Sequence, residues 1–170
     1  SLGGIVAKSS VRVAGNDMDA AISSHVQNEH RLSVGTQTVE RLKMGLGSAL
    51  PLPEEAATEI RGRDLATGLP KTVVITSEEV RGAIGSSVAA IADAVRDTLD
   101  RTPPELAADV MDRGMVLAGG GALLGCLDER LRRETGVPVR VAEEPLACVA
   151  VGSGRFLEEI DRYPGALSSG

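Results

Sequence analysis

The stretch that decides the fold is residues 113–152, which read RGMVLAGGGALLGCLDERLRRETGVPVRVAEEPLACVAVG. Its apolar run at 115–118 is too short for a helix and follows Gly114, which indicates a strand. Residues 119–121 are all glycine, so the backbone can turn sharply and approach a ligand with no Cβ in the way. Leucines then recur on one helical face, at Leu123, Leu124, Leu127 and Leu131. The pattern predicts a helix over 122–135 that the glycine turn opens, which presents backbone N–H groups as nucleotide sites do.

A second strand and helix complete this stretch. Gly136 is expected to end the leucine-patterned helix, residues 137–142 predict a strand, and a helix is expected from Pro145 to about residue 161. Because strand and helix alternate, we expect the two strands to be parallel.

The preceding part of the chain alternates between helix and strand signals. Thr76 and Glu79 form a capping box for a long helix to about residue 101, and Gly82 and Gly85 predict a break in it. The other expected elements are a strand over 5–13, a helix over 16–30 capped by Asn16 with Asp19 bonding back, a helix over 38–49, strands over 57–63 and 71–76 joined by a hairpin turn at 64–70, and a short helix capped by Thr102.

Composition excludes several classes of function. Hydrophobic residues make up 42% of the 170 residues and charged residues 25%, which is typical of a globular domain. The net charge of −6 and the lack of a basic stripe argue against nucleic acid as a partner. Phe156 and Tyr163 are too few aromatic residues for a base-stacking platform. No apolar run approaches the ~18 residues of a transmembrane span, and no signal peptide is recognisable.

Five segments carry a resemblance to a known family. They are SLGGIV at 1–6, TVERLK at 38–43, EIRGRDLATGLPK at 59–71, TPPELAADVMDRGMVLAGGGALL at 102–124 and TGVPVRVAEEPLACVAVGSG at 135–154. In this order they resemble the MreB family of bacterial actin-like cell-shape proteins, over nearly the whole chain. The resemblance implies an α/β fold: an actin-like ATPase (ribonuclease H-like) lobe with a partly parallel sheet, flanking helices and an inserted smaller α+β subdomain.

The resemblance is to the second of the family's two lobes. Residues 1–14 and 85–162 are expected to form its larger subdomain, residues 15–84 an inserted smaller subdomain, and residues 163–170 a flexible tail. The first lobe, and the acidic, glycine-rich phosphate hairpin that precedes SLGGIV in the family, are expected to be absent. The lack of an initiator Met suggests a processed or excised chain.

The resemblance implies nucleotide contacts in two places. Backbone at Gly120, Gly121, Ala122 and Leu123 is expected to wrap the adenosine and the α-phosphate. The family's E-x-x-K motif covers Glu40, Arg41, Leu42 and Lys43, with Glu40 accepting hydrogen bonds from the ribose hydroxyls and the Lys43 stem lying along the adenine. The alternatives are a plain strand–helix turn for the glycines and an exposed Glu40–Lys43 ion pair.

No catalytic or metal-binding residue is expected in the chain. His25 and His30 have no carboxylate at a motif spacing and are interpreted as structural. Cys126 and Cys148 are interpreted as small, buried hydrophobic residues within helices of a protein in a reducing cytosol.

The resemblance also implies a function. We expect a segment of an ATP-binding, filament-forming bacterial cytoskeletal protein, cytoplasmic and at the inner face of the membrane, that determines cell shape and organises cell-wall synthesis. ATP with magnesium is the family's cofactor, but we expect weak or no ATP binding and no hydrolysis by this chain alone, because the phosphate loops lie elsewhere.

Expected partners are further copies of the protein, cell-wall synthesis proteins and membrane adaptors. In the filament, the loop at 50–55 and the hairpin turn at 64–70 are expected to contact the next copy through Leu50, Leu52 and Leu69. The alternative function is a truncated MreB-like interaction module that binds partners or caps filaments without nucleotide.

Overall fold

The computed structural model describes residues 5–13 and 15–158. In chain order the elements are α1 (Gly15–His30), β1 (Leu32–Ser33), α2 (Thr36–Leu46), β2 (Ala57–Asp64), β3 (Pro70–Thr76), α3 (Ser77–Asp100), α4 (Pro104–Arg113), β4 (Met115–Leu117), a short 3₁₀ helix (Gly120–Leu123), α5 (Leu127–Thr135), β5 (Val139–Val141) and α6 (Cys148–Glu158).

The first sheet is antiparallel, in the order β1-β2-β3. Strands β2 and β3 form the predicted hairpin, in register from Ala57 opposite Thr76 to Arg63 opposite Pro70. Asp64 shapes the turn, because its Oδ1 accepts hydrogen bonds from the N–H groups of Ala66 and Thr67 at 2.8 and 2.9 Å. The turn residues that predict a hairpin in the sequence therefore also make the hydrogen bonds that stabilise it.

The second sheet joins β4 and β5 in the predicted parallel arrangement, with Met115 opposite Val139 and Leu117 opposite Val141. Gly114, just before β4, has a φ of 78°, and a Cβ there would lie 2.5 Å from the Pro138 carbonyl oxygen. The close approach lets Met115 N–H donate to that oxygen at 2.7 Å. Glycine is therefore required where the two strands begin to pair.

Helix α3 is the longest element and packs against α1, α2 and α5. Its predicted capping box is confirmed: Thr76 Oγ1 accepts from Glu79 N–H, and Glu79 Oε2 accepts from Thr76 N–H at 2.8 Å. The predicted break at Gly82 and Gly85 is wrong, since the helix is continuous. Both glycines are exposed, and the helix is held by a stripe of buried residues on its other side: Val80, Ile84, Val88 and Ala92.

One hydrophobic cluster connects the helices to both sheets. Helices α1 and α2 each contribute a stripe at helical spacing: Met18, Ile22 and Val26 from α1, and Val39, Leu42 and Leu46 from α2. Leu32, Ile60 and Ile75 contribute from the antiparallel sheet, and Leu127, Leu131 and Val139 from the parallel part.

Three expectations are wrong: one strand, and the first residues of two helices. The segment 5–13 forms no strand: it pairs with no other strand of the described residues, and its residues 7–11 border a cavity with α3 and Met115. Helix α1 begins at Gly15, which places Asn16 inside it rather than at its cap. The N-cap of α4 is Pro103, not Thr102. The predicted tail at 163–170 and the end of the last predicted helix lie outside the described residues.

The predicted helix over 122–135 is divided in two. A four-residue 3₁₀ helix follows the glycines, and α5 begins only at Leu127, after Cys126 with a φ of 58°. The chain leaves the helical path at Gly125, which forms a parallel bridge with Ser48 and accepts a hydrogen bond from Ala49 N–H at 2.7 Å. Both cysteines are free and half-buried; Cys126 lies outside the helix and Cys148 begins α6.

Candidate functional site

The E-x-x-K segment lies on α2, which ends at Leu46 rather than at the predicted residue 49. Because Val39 and Leu42 face the core, Glu40 and Lys43 project from an adjacent face of the helix. Lys43 Nζ is 2.8 Å from Asp19 Oδ1 and 2.9 Å from Oδ2, and it donates to the Gly15 carbonyl oxygen at 3.3 Å. The partner of Lys43 is thus on α1, and Glu40 is left exposed to solvent.

The glycine turn lies directly after β4. Gly119 has a φ of 81° and donates its N–H to the Pro145 carbonyl oxygen at 2.6 Å, which connects the turn to the segment before α6. The turn does not open a long helix, contrary to expectation, so no helix dipole of useful length points at this place. What it offers is exposed backbone without side chains at Gly120 and Gly121.

Close contacts hold α2 against the turn. A Cβ on Gly125 would lie 3.0 Å from the Gly47 carbonyl oxygen, and one on Gly47 would lie 3.1 Å from Leu124 Cδ1. The two segments can approach this closely because both positions are glycine. The 2.7 Å hydrogen bond from Ala49 to Gly125 holds them together.

Between the two segments lies a cleft of about 610 Å³, within the size range of sites for small molecules. Five of the eight predicted residues line it: Glu40, Lys43, Gly120, Gly121 and Leu123. The other three do not. Leu42 and Ala122 are buried, and Arg41 lines a different groove on the far side of α2.

The rest of the lining was not predicted from the sequence. It is mainly apolar and comes from five parts of the chain, at Val13, Gly15, Met18, Met44, Ile91, Leu124 and Leu146. Met44 could have been suspected from the sequence, because it directly follows the E-x-x-K motif. In the structure it is exposed and has no role in the core. Leu146 and Ile91 gave no signal, because they reach the cleft only through the fold.

The cleft combines an apolar surface with polar groups at one side. Met44, Leu123 and Leu146 are exposed apolar side chains that could cover a flat, uncharged ring system. The Glu40 carboxylate is free to accept hydrogen bonds from hydroxyl groups. Glycine backbone on the opposite wall allows a ligand to approach without steric hindrance. This arrangement suits a molecule with a planar apolar part and a polyhydroxy part, such as a nucleoside.

Among residues 5–13 and 15–158, no helix is both long enough and apolar enough to cross a membrane.

Comparisons with known proteins identify relatives along the chain. A family model described as "MreB/Mbl protein" matches residues 1–164. The chain is 46% identical over 164 residues to the cell shape-determining protein Mbl of Bacillus cereus (strain ATCC 10987 / NRS 248), which covers 96% of this chain and 49% of the relative. It is 47% identical over 169 residues to the cell shape-determining protein MreB of Escherichia coli (strain K12), which covers 99% and 49%. The chain therefore spans about half the length of these relatives.

Two solved structures resemble this chain in fold. The crystal structure of MreB5 of Spiroplasma citri bound to ADP superposes with a TM-score of 0.88 at 36% identity, covering 94% of this chain and 48% of that one. The same protein bound to AMPPNP gives the same score over 95% and 49%. These matches confirm the actin-like α/β fold class that the sequence predicts.

Proposed function

Because the chain belongs to the MreB/Mbl family, we propose that it forms the second lobe of a cell-shape protein that binds ATP and assembles into filaments. In this proposal residues 1–14 and 85–162 are the larger subdomain and residues 15–84 the smaller one. The parent protein acts in the cytoplasm at the inner face of the membrane, with cell-wall synthesis proteins and membrane adaptors as partners.

The observation that carries nucleotide binding is the convergence of the E-x-x-K motif and the glycine turn in one cleft. In this proposal Glu40 accepts hydrogen bonds from the ribose, and the apolar part of the Lys43 side chain lies along the adenine. Its ammonium group stays with Asp19, so the stem is held in an extended position before the ligand arrives. Gly120 and Gly121 let the backbone approach the sugar and the α-phosphate.

The chain supplies a surface for the nucleoside rather than a complete site for phosphoryl transfer. Transfer needs groups that hold the metal and the phosphates and orient the attacking water, and the cleft is lined mostly by apolar side chains. We therefore assign no catalytic residue to this chain. The isolated chain is expected to bind ATP weakly or not at all, at best with a dissociation constant in the high micromolar to millimolar range, since each missing charged hydrogen bond costs about 1.5–3 kcal/mol.

The test is nucleotide affinity in the full-length parent. Glu40→Ala is expected to weaken ATP binding about tenfold or more, because it removes a charged acceptor of hydrogen bonds. Gln37→Ala is a matched control, since it is exposed on the same helix and does not line the cleft. Equal affinities of parent and Glu40→Ala would reject the site. An isolated chain with a sub-micromolar, magnesium-dependent ATP site would reject the proposal that the groups for phosphate and metal lie outside this chain.

The alternative is a nucleotide-free interaction module. Exposed apolar residues on α6 favour a contact surface there, at Val149, Val151 and Leu157. The two readings separate experimentally, because only the first predicts that the parent loses ATP affinity with Glu40→Ala.

A further inference from the structure

Two histidines and a glutamate from distant parts of the chain meet where α1 ends and α3 begins. His30 Nε2 lies 2.6 Å from Glu79 Oε1, and His25 Nε2 lies 3.6 Å from the same oxygen. The two imidazole rings are edge to face, with centroids 6.2 Å apart. One ligand-type atom from each of the three residues lies within 4.8 Å of the others. None of them lines the nucleotide cleft, so this cluster is a separate feature.

Hydrogen bonds hold the Glu79 side chain and the main chain of His30 in place. Glu79 is the capping-box residue of α3, and its Oε2 accepts from Thr76 N–H, which leaves Oε1 facing the histidines. His30 is the last residue of α1, and its carbonyl oxygen accepts from Lys71 Nζ at 2.9 Å. Groups positioned in this way need little rearrangement to bind an ion.

His25 supplies an independent observation. Its Nε2 is buried and has no hydrogen-bond partner within the described part of the chain. Buried polar atoms nearly always have a partner, so this nitrogen calls for an explanation. The three side chains are nonetheless 22–28% exposed, which leaves a path for a small ion from solvent.

The local charges also suit a cation. Burial raises the pKa of Glu79, but hydrogen bonds from the Thr76 backbone, from His30 and from the Thr76 hydroxyl lower it more, so the carboxyl is ionised at neutral pH. The neighbouring ammonium group of Lys71 is 3.2 Å from Asp64 Oδ2, which offsets its charge.

We propose that His25, His30 and Glu79 bind one zinc-class divalent cation that connects the end of α1 to the start of α3. Two imidazole nitrogens and one carboxylate oxygen are a ligand set that Zn²⁺ accepts, with water in the fourth position. Bonds of 2.0–2.1 Å place tetrahedral ligand atoms roughly 3.3–3.5 Å apart. The His25–Glu79 distance of 3.6 Å is already close to this value. The His30–Glu79 distance of 2.6 Å must open by less than about 1 Å, which side-chain rotation provides. The proton that His30 Nε2 shares with Glu79 is released to solvent, or moves to Nδ1, when the metal takes its place.

Zinc titration of the untagged 170-residue chain tests the proposal. Cys126→Ser and Cys148→Ser are introduced first, because free thiols also bind zinc. Calorimetry is expected to show one Zn²⁺ per chain, and Co²⁺ to give the visible absorption of a tetrahedral site. At about 100-fold excess over the dissociation constant, Zn²⁺ should raise the melting temperature by about 5–10 °C.

His25→Gln is the decisive variant, since it removes a ligand that makes no hydrogen bond in the described structure. We expect its zinc affinity to fall by about tenfold or more. Glu78→Gln, an exposed carboxylate next to Glu79, is the matched control and should bind as the parent does. Absence of zinc binding by the 170-residue chain with both histidines, or unchanged affinity in His25→Gln, would overturn the proposal.

Folding of each variant is checked by circular dichroism, and His30→Gln serves as a second variant. If both histidine variants unfold, imidazole NMR signals of the parent decide. The chain has two histidines, His25 and His30, so zinc-dependent shifts of both imidazoles support the site, and unshifted imidazole signals reject it.

Discussion

Lys43 on α2 and Asp19 on α1 form an ion pair with 2.8 Å between Nζ and Oδ1. Lys43 also lines the cleft that we propose for the nucleoside. The pair joins two helices whose only connection along the chain is the short strand β1 and its flanking residues. It also fixes the end of the Lys43 side chain, with Nζ close to the first turn of α1.

We predict that Asp19→Asn has a small effect on folding and a larger one on ATP binding by the parent. Both side chains are partly exposed, so the loss of unfolding free energy should be at most about 1 kcal/mol. The released Lys43 side chain becomes mobile, and ordering it again weakens ATP affinity. Urea denaturation and calorimetry measure the two effects. Glu29→Gln, exposed on the same helix, is the control; if it weakens ATP binding equally, the pair has no special role.

The hairpin turn should make stability depend on acid. Hydrogen bonds from the Thr67 and Ala66 backbone, followed by Lys71, lower the pKa of Asp64 from 3.8 to about 2. Because the folded pKa lies below the unfolded one, this stabilisation is present above about pH 4 and is lost as the pH falls towards 2. The stability difference between parent and Asp64→Asn should therefore shrink from pH 5 to pH 2 in urea titrations. A difference that is constant across this range would contradict the assignment.

Alanine at the two exposed glycines of α3 should stabilise the protein. A Cβ on Gly82 or Gly85 meets no atom within 4 Å, so each Gly→Ala change should add about 0.5–1 kcal/mol through reduced entropy of the unfolded chain. Gly114→Ala is the opposing control, since its φ of 78° and the Pro138 carbonyl make alanine destabilising there. Denaturant midpoints measure all three. A loss of stability with Gly82→Ala would mean that the helix needs flexibility at that position.

The hairpin tip is predicted to contact the next copy in a filament of the parent. Leu65 and Leu69 are 52% and 64% exposed at the turn, which leaves two apolar side chains of one turn in solvent. Leu69→Asp should block filament growth, as should Leu52→Asp in the loop at 50–55. In that loop Leu50 and Leu52 are half-buried, not exposed as the predicted contact requires, so Leu69 is the better-placed position of the three. The thermal stability of Leu69→Asp should be unchanged, because the side chain already faces solvent. Filaments of normal length from both variants in electron micrographs would place the contact elsewhere.

Local signals in the sequence predicted the elements whose hydrogen bonds are local. The capping box of Thr76 and Glu79 and the turn at Asp64 depend on residues two or three positions apart. Parallel pairing of β4 with β5 followed from the order of strand and helix. The resemblance to the MreB family predicted five of the residues that line the cleft. Spacing alone would not have connected the two segments that contain them.

The tertiary structure decided the features that depend on distant partners. Glu79 is 49 positions from His30, so no local spacing indicated that the two histidines share a carboxylate. The sequence predicts that Asp19 is part of a helix cap, and only the packing of α1 on α2 brings it to Lys43.

The two wrong helix predictions have the same cause, which is that contacts with distant residues outweigh local preferences. The break predicted at Gly82 was overridden by buried contacts of α3, and the helix predicted after Gly121 was interrupted because Gly125 pairs with residues 48–49. Propensity acts within a few residues, at up to about 1 kcal/mol each. Burial and pairing against distant segments act with larger energies, and those segments are known only once the chain is folded.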